Sequence, residues 1–196
     1  MKLKKIFTLK NVTIASMILF TNVNVFKSDL EIKNDLEIIN NNNNIAIKRQ
    51  YKKLQELNHF YLIKKKILYL SPNISNNELN KISKLLCEID DKNSVITSDL
   101  LISLIYVESR FKKYAKSSAG AVGYCQIMPS IHKVPKNKMY NTEFQIRFSY
   151  NYLMTIYKFY TPNKLDKALN YYNGRVCNNN YANKVFTVKN EISKLR

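Results

Sequence analysis

Glu108 is the residue of this chain best placed to do chemistry. It closes a nearly all-apolar run, Leu100-Leu101-Ile102-Ser103-Leu104-Ile105-Tyr106-Val107. Helical spacing stacks it over Leu101, Leu104 and Ile105. A carboxylate in an apolar seat is costly unless it is paired or takes up a proton, so its pKa should be raised. A raised carboxyl beside a shaped loop is what a general acid needs. Such a loop follows at once, short, polar and glycine-bearing, with no further Asp or Glu before Glu143. The chain has 3 glycines in 196 residues, and Gly120, Gly123 and Gly174 all fall inside candidate site segments. A tight turn explains Gly120 or Gly123 singly. The pattern of all three points instead to required backbone geometry or close ligand approach.

Glycoside hydrolases usually pair two carboxylates, about 5–5.5 Å apart for retention and ~6.5–9.5 Å for inversion. The other acids to weigh are Asp99, Glu143 and Asp166. Asp99 precedes Glu108 on the same predicted helix by a rise of more than ~13 Å. Glu143 and Asp166 fall in predicted first turns, where a carboxylate stabilises the helix dipole. A single-acid mechanism fits the residues better.

Four ordered motifs carry a family resemblance over roughly residues 95–188. They are Glu108-Ser109-Arg110-Phe111; Ala115 with Ser117-Ser118-Ala119-Gly120-Ala121-Val122-Gly123 and Gln126-Ile127-Met128-Pro129; Ala168-Leu169-Asn170-Tyr171-Tyr172-Asn173-Gly174; and Tyr181-Ala182-Asn183-Lys184-Val185. Together they resemble the soluble lytic murein transglycosylase domain, which is goose-lysozyme-like. The resemblance implies that Glu108 protonates the oxygen between N-acetylmuramic acid and N-acetylglucosamine. The same residue then takes a proton from the sugar's 6-hydroxyl, leaving a 1,6-anhydromuramoyl end. By motif position it implies a substrate cleft lined by Ser117, Gln126, Met128, Tyr172 and Asn173, with the Tyr172 hydroxyl near Glu108. The chain departs from the pattern at Tyr124-Cys125, at Gln145 and at Arg175, which bears on subsite shape more than on chemistry. A goose-type lysozyme-like hydrolase and a non-catalytic wall-binding adaptor are the alternative readings.

Mainly helical elements should position these residues. Tyr51 to Leu70 reads as a helix, Ser75 and Glu78 as a capping box for one through about Asp90, and Ser98 as the cap of the Glu108 helix. Thr142 and Gln145 form a second capping box, opening an aromatic-rich helix through about Tyr160. Short helices follow from Leu165 to Tyr172, closed by Asn173-Gly174, and from Tyr181 to about Leu195. The exception to helix is a small hairpin near Gly120 to Gln126. The expected organisation is a signal peptide or membrane anchor (1–26), a polar linker (27–50), a helical extension (51–94) and a lysozyme-like catalytic domain (95–196).

Composition narrows the partners. The chain is 45% apolar, enough for a core, and carries a net charge of +18. No nucleic-acid-binding module accompanies that charge, so an anionic cell wall or membrane surface suits it better than nucleic acid. Lys2, Lys4, Lys5 and Lys10 precede an apolar stretch from Val12 to Phe26. That order predicts export to the periplasm or cell envelope, with membrane attachment if the leader stays. The partners expected are peptidoglycan glycan strands and, from the small size, an envelope secretion apparatus. Cys125 reads as a buried small hydrophobe, while a Cys87–Cys177 bridge is left open. His59 and His132 stand apart from any cysteine, so neither a metal nor a cofactor is expected.

Overall fold

The computed structural model describes residues 29–90, 95–174 and 180–195. The leader read at 1–26, Arg175 and Cys177 lie outside them. Among the described residues the protein is mainly α-helical, with seven α-helices and no sheet. None of these helices is long and apolar enough to cross a membrane. The chain divides into two units, residues 1–50 and 51–196.

The first helix, α1, is Asp29–Leu70. Residues 29–50, read from sequence as a polar linker, are therefore helical. Nothing between 29 and 70 is Gly or Pro, so no breaker interrupts the helix. The described side chains over 33–50 are all exposed, in keeping with their polarity.

The second unit holds the core. In α1 the inward face is Ile63 and Ile67, at 1% and 0% exposure. Leu54, Leu57, Tyr61 and Leu68, also apolar and at roughly helical spacing, stay exposed. Lys66 comes inward with Ile67 and reaches Asp99 at 2.7 and 2.8 Å, which removes Asp99 from the candidates for catalysis by giving it a partner. Helix α2 is Asn76–Asp90, burying Leu79, Ile82, Leu85, Leu86 and Ile89. Helix α3, Ser98–Ser109, is apolar nearly all round and is the buried centre of the unit, packed against α2 and against α7 (Asn180–Ile192). Its N-cap is Thr97, whose hydroxyl accepts from Leu100 N at 3.4 Å. Ser98, the expected cap, instead donates its backbone N–H to Asp90 Oδ1 at 2.6 Å.

After α3 the chain runs without regular structure to α4 (Pro129–His132). The hairpin expected here is reduced to two isolated antiparallel bridges, Lys116 with Val122 and Val122 with Ile127. Helix α5, Thr142–Thr155, is capped by Asn141 through a 2.8 Å bond to Phe144 N. The capping box expected at Thr142 and Gln145 gives way because both side chains bond elsewhere. Helix α5 passes into a π-helical turn, Ile156–Tyr160, closed by Thr161 N to Ile156 O at 2.9 Å. Helix α6 is Leu165–Tyr172, with Asn173 as its C-cap and Gly174 left-handed behind it.

Candidate active site

The last turn of α3 delivers Glu108, and the backbone then turns sharply. Arg110 and Phe111 are consecutive left-handed residues, φ 51° and 57°, each costing on the order of 1–2 kcal/mol for an L-residue. The cost is borne because Phe111 is buried at 6% exposure and the Arg110 N–H bonds Tyr106 O at 2.9 Å. The chain thereby leaves α3 without covering the carboxyl.

Two polar side chains from neighbouring helices, the half-buried Glu78 and the buried Gln145, fix the loop that follows. Glu78 of α2 accepts from Lys113 Nζ at 2.9 Å, Tyr124 Oη at 3.1 Å and Thr142 Oγ1 at 2.5 Å. These three donors outweigh its burial and hold its carboxyl below the usual range. Gln145 of α5 accepts from Cys125 N at 3.1 Å and donates to the Met139 carbonyl. Gly123 lies against that amide. It has φ 80°, and a Cβ there would fall 1.7 Å from Gln145 Nε2. Here the glycine is required twice, for backbone hand and for space.

The six residues expected at the site all line one cleft of about 500 Å³. Ser117 and Ala121 close a tight turn, with Ser117 Oγ accepting from Ala121 N at 3.0 Å. Gln126 is left-handed, φ 48°, and its amide donates to the carbonyls of Gly123 at 3.0 Å and Ala115 at 3.3 Å. Met128 precedes Pro129 at the start of α4, and Asn173 caps α6 on the opposite wall. Tyr172 is in the cleft, but its hydroxyl does not bond Glu108. It donates to the Cys125 carbonyl at 2.9 Å and meets Ser149 Oγ at 3.0 Å. The hydroxyl still feels the charge of Glu108, as one near that carboxyl should, while its hydrogen bonds hold the ring to the loop and to α5.

Tyr181, at the start of α7, supplies the hydroxyl that reaches Glu108. Its Oη donates to Oε1 at 2.5 Å. Burial pushes the Glu108 carboxyl up to about 7, and the Tyr181 bond, which favours the charged form, offsets part of that rise. Burial, with the charge of Glu108 next, raises Tyr181 well above a free phenol, so it remains a donor throughout the range in which Glu108 titrates. Burial likewise pushes the Cys125 thiol up to about 12, which suits an inert packing residue. Among the described residues lining the cleft, Glu108 is the lone carboxylate. Glu143 is paired with Arg147 at 2.8 Å, and Asp166 sits in the first turn of α6.

Sequence reading also missed the aromatic wall. His132 packs edge-on to Phe148 and Tyr152, ring centres 5.3 and 4.6 Å apart, and Tyr152 continues to Tyr172 at 5.6 Å. Burial lowers the His132 pKa, favouring the neutral ring. The wall joins α4, α5 and α6, so no local spacing could reveal it. Tyr181 did carry a signal, since it opens the last of the four motifs. Among the described residues no cluster of three or more His, Cys, Asp or Glu could hold a metal.

The arrangement offers one proton donor and acceptor near neutrality, a phenol fixed on it, and apolar and aromatic surface suited to sugar rings. A family model described as Transglycosylase SLT domain matches residues 87–193. No curated protein and no solved structure was found to match.

Proposed function

Because this chain belongs to the transglycosylase SLT domain family, we propose that it is an exported peptidoglycan lytic transglycosylase with Glu108 as its catalytic residue. The observation that carries this reading is a single carboxyl, raised to about 7, in a cleft with no second carboxylate among its described residues. A group with that pKa can give a proton and take one back at the same pH.

Glu108 protonates the glycosidic oxygen of the N-acetylmuramic acid–N-acetylglucosamine bond, and the C1–O bond breaks as the substrate's acetamido oxygen closes on C1. The Glu108 carboxylate then accepts the proton of the 6-hydroxyl, whose oxygen displaces the acetamido oxygen from C1. The product is a 1,6-anhydro ring, and no water is consumed. Tyr181 holds the carboxylate in place between the two steps. Ser117 and Asn173 offer hydrogen bonds to acetamido and hydroxyl groups, and Met128 and the Tyr152–Tyr172 wall carry the ring faces. Gln126 shapes the loop as much as it meets substrate, since its amide nitrogen serves backbone carbonyls. Export through a leader at 1–26 belongs to the same proposal and is supported by that segment's basic-then-apolar order.

The intramolecular 6-hydroxyl is favoured over water because well-oriented internal nucleophiles reach effective molarities on the order of 10⁵ M. Mass spectrometry of digested sacculi tests this. Anhydromuramoyl ends, lighter than reducing ends by one water, are expected. Reducing ends carrying solvent ¹⁸O would overturn the reading in favour of a goose-type hydrolase, and no release of either product would favour a wall-binding adaptor.

A further inference from the structure

Ser117 lines the Glu108 cleft and also a neighbouring groove of about 550 Å³ that includes Lys116 and Tyr140. Tyr140 in turn lines a third groove, of about 530 Å³, that includes Lys81, Lys84, Lys113 and Arg147. Ser117 thus stands between the first two spaces and Tyr140 between the second and third. We propose that the substrate track continues past Ser117 into this lysine-rich groove, which binds the carboxylates of the peptide stem borne by the glycan. The proposal rests on the peptidoglycan reading above.

Charge separates the two regions. No Lys or Arg lines the Glu108 cleft among the described residues. The adjoining grooves carry Lys81, Lys84, Lys113, Lys116 and Arg147 against Glu88 and Glu143. Arg147 serves those two glutamates, at 2.6 and 2.8 Å. Lys113 serves Glu78 at 2.9 Å, and Lys81 stands 4.0 Å from the same oxygen. No ion pair among the described residues claims Lys84 or Lys116, so these two supply the uncompensated positive charge. The glycan is neutral where each lactyl carboxyl is amide-linked to a stem, whereas the stem is an acidic peptide. An aromatic cleft free of Lys and Arg beside cationic grooves matches that division of the substrate. Tyr140, which lines both grooves and packs at a tilt on Tyr114 with ring centres 5.2 Å apart, offers aromatic surface a peptide backbone can lie against.

The test has a binding arm and a kinetic arm. In the first, the full chain carrying Glu108→Gln is titrated with a synthetic acidic stem tetrapeptide and, separately, with inorganic phosphate. The tetrapeptide should bind and weaken as salt rises, and Lys84→Ala/Lys116→Ala should weaken it about three- to tenfold, as expected for two exposed ion pairs. Equal affinity for phosphate, or no effect of the double substitution, would overturn the proposal. In the second arm the active chain is given glycan strands with their stems and strands stripped by an amidase, which leaves one lactyl carboxylate on each muramic residue in place of the stem's carboxylates. The double variant should raise KM about three- to tenfold on stem-bearing strands, with kcat unchanged and stripped strands unaffected. An equal change on both substrates overturns the groove. Cleavage of neither by the unsubstituted chain overturns the proposed activity, and the binding arm then decides the groove by itself.

Discussion

Replacing Glu108 by Gln should make the protein more stable above neutrality while removing the proposed activity. The carboxyl is raised from 4.5 to about 7 because burial penalises its charged form. The folded state therefore holds this proton more tightly than the unfolded chain does. Its stabilising contribution is full below about pH 4.5, falls as pH rises through the interval, and is gone above about 7. At 1.36 kcal/mol per unit the difference between the ends is about 3 kcal/mol. Glutamine is close in shape, stays neutral, and its amide oxygen can still accept from Tyr181. The variant should match the parent near pH 4, then gain progressively until it is about 3 kcal/mol ahead at pH 8. For a chain this size that is about 6–12 °C in Tm. Thermal melts from pH 4 to 8, run beside sacculus digestion, check both halves. Digestion should fall at least 10²-fold. A Tm difference that does not change with pH, or a variant less stable at pH 8, would refute the account of Glu108 as a carboxyl strained by burial.

Tyr181→Phe removes the bond that favours the Glu108 carboxylate, so the carboxyl should rise by a further 1–2 units or so. In a pH–rate profile the alkaline limb of kcat/KM should move from near 7 toward about 8–9, and an unmoved limb would return Tyr181 to a packing role. Gly120→Ala and Gly123→Ala meet the same left-handed strain, on the order of 1–2 kcal/mol, but only the second drives a Cβ into Gln145. Urea denaturation should therefore show Gly123→Ala losing at least about 1 kcal/mol more, and equal losses would disprove the requirement for space. Lys66→Ala should cost about 1.5–3 kcal/mol by leaving Asp99 without its donor. That loss should appear in melts and spare the pH dependence set by Glu108.

Helices were legible where local punctuation was unambiguous. Pro162 ahead of Leu165, and Asn173-Gly174 behind Tyr172, bound α6 at the residues where it lies. The caps fell one residue before the expected Ser98 and Thr142. Thr97 and Asn141 won because Ser98 pairs through its backbone N–H with Asp90, and the Thr142 hydroxyl is drawn to Glu78. The lining of the cleft was legible as motifs, yet its internal bonding was not. Tyr181 and Glu108 are 73 residues apart, and Tyr124 and Glu78 are 46 apart. Pairings at that range are set by packing of whole helices, on which periodicity is silent. Tyr172 shows the limit well, since its place in the cleft followed from the motif while its bonds to Cys125 and Ser149 needed three dimensions.

The bridged segment between α3 and α4 takes its order from outside itself, and that has a consequence for how the protein assembles. Two isolated bridges give it little cooperativity of its own. Glu78 and Gln145, which pin it, arrive on helices that pack against each other. The floor of the cleft therefore depends on α2 and α5 being docked, so its order should come with or after that docking. That order should also be the first lost, with backbone amides of residues 112–127 exchanging in subglobal openings that leave the α3 core protected.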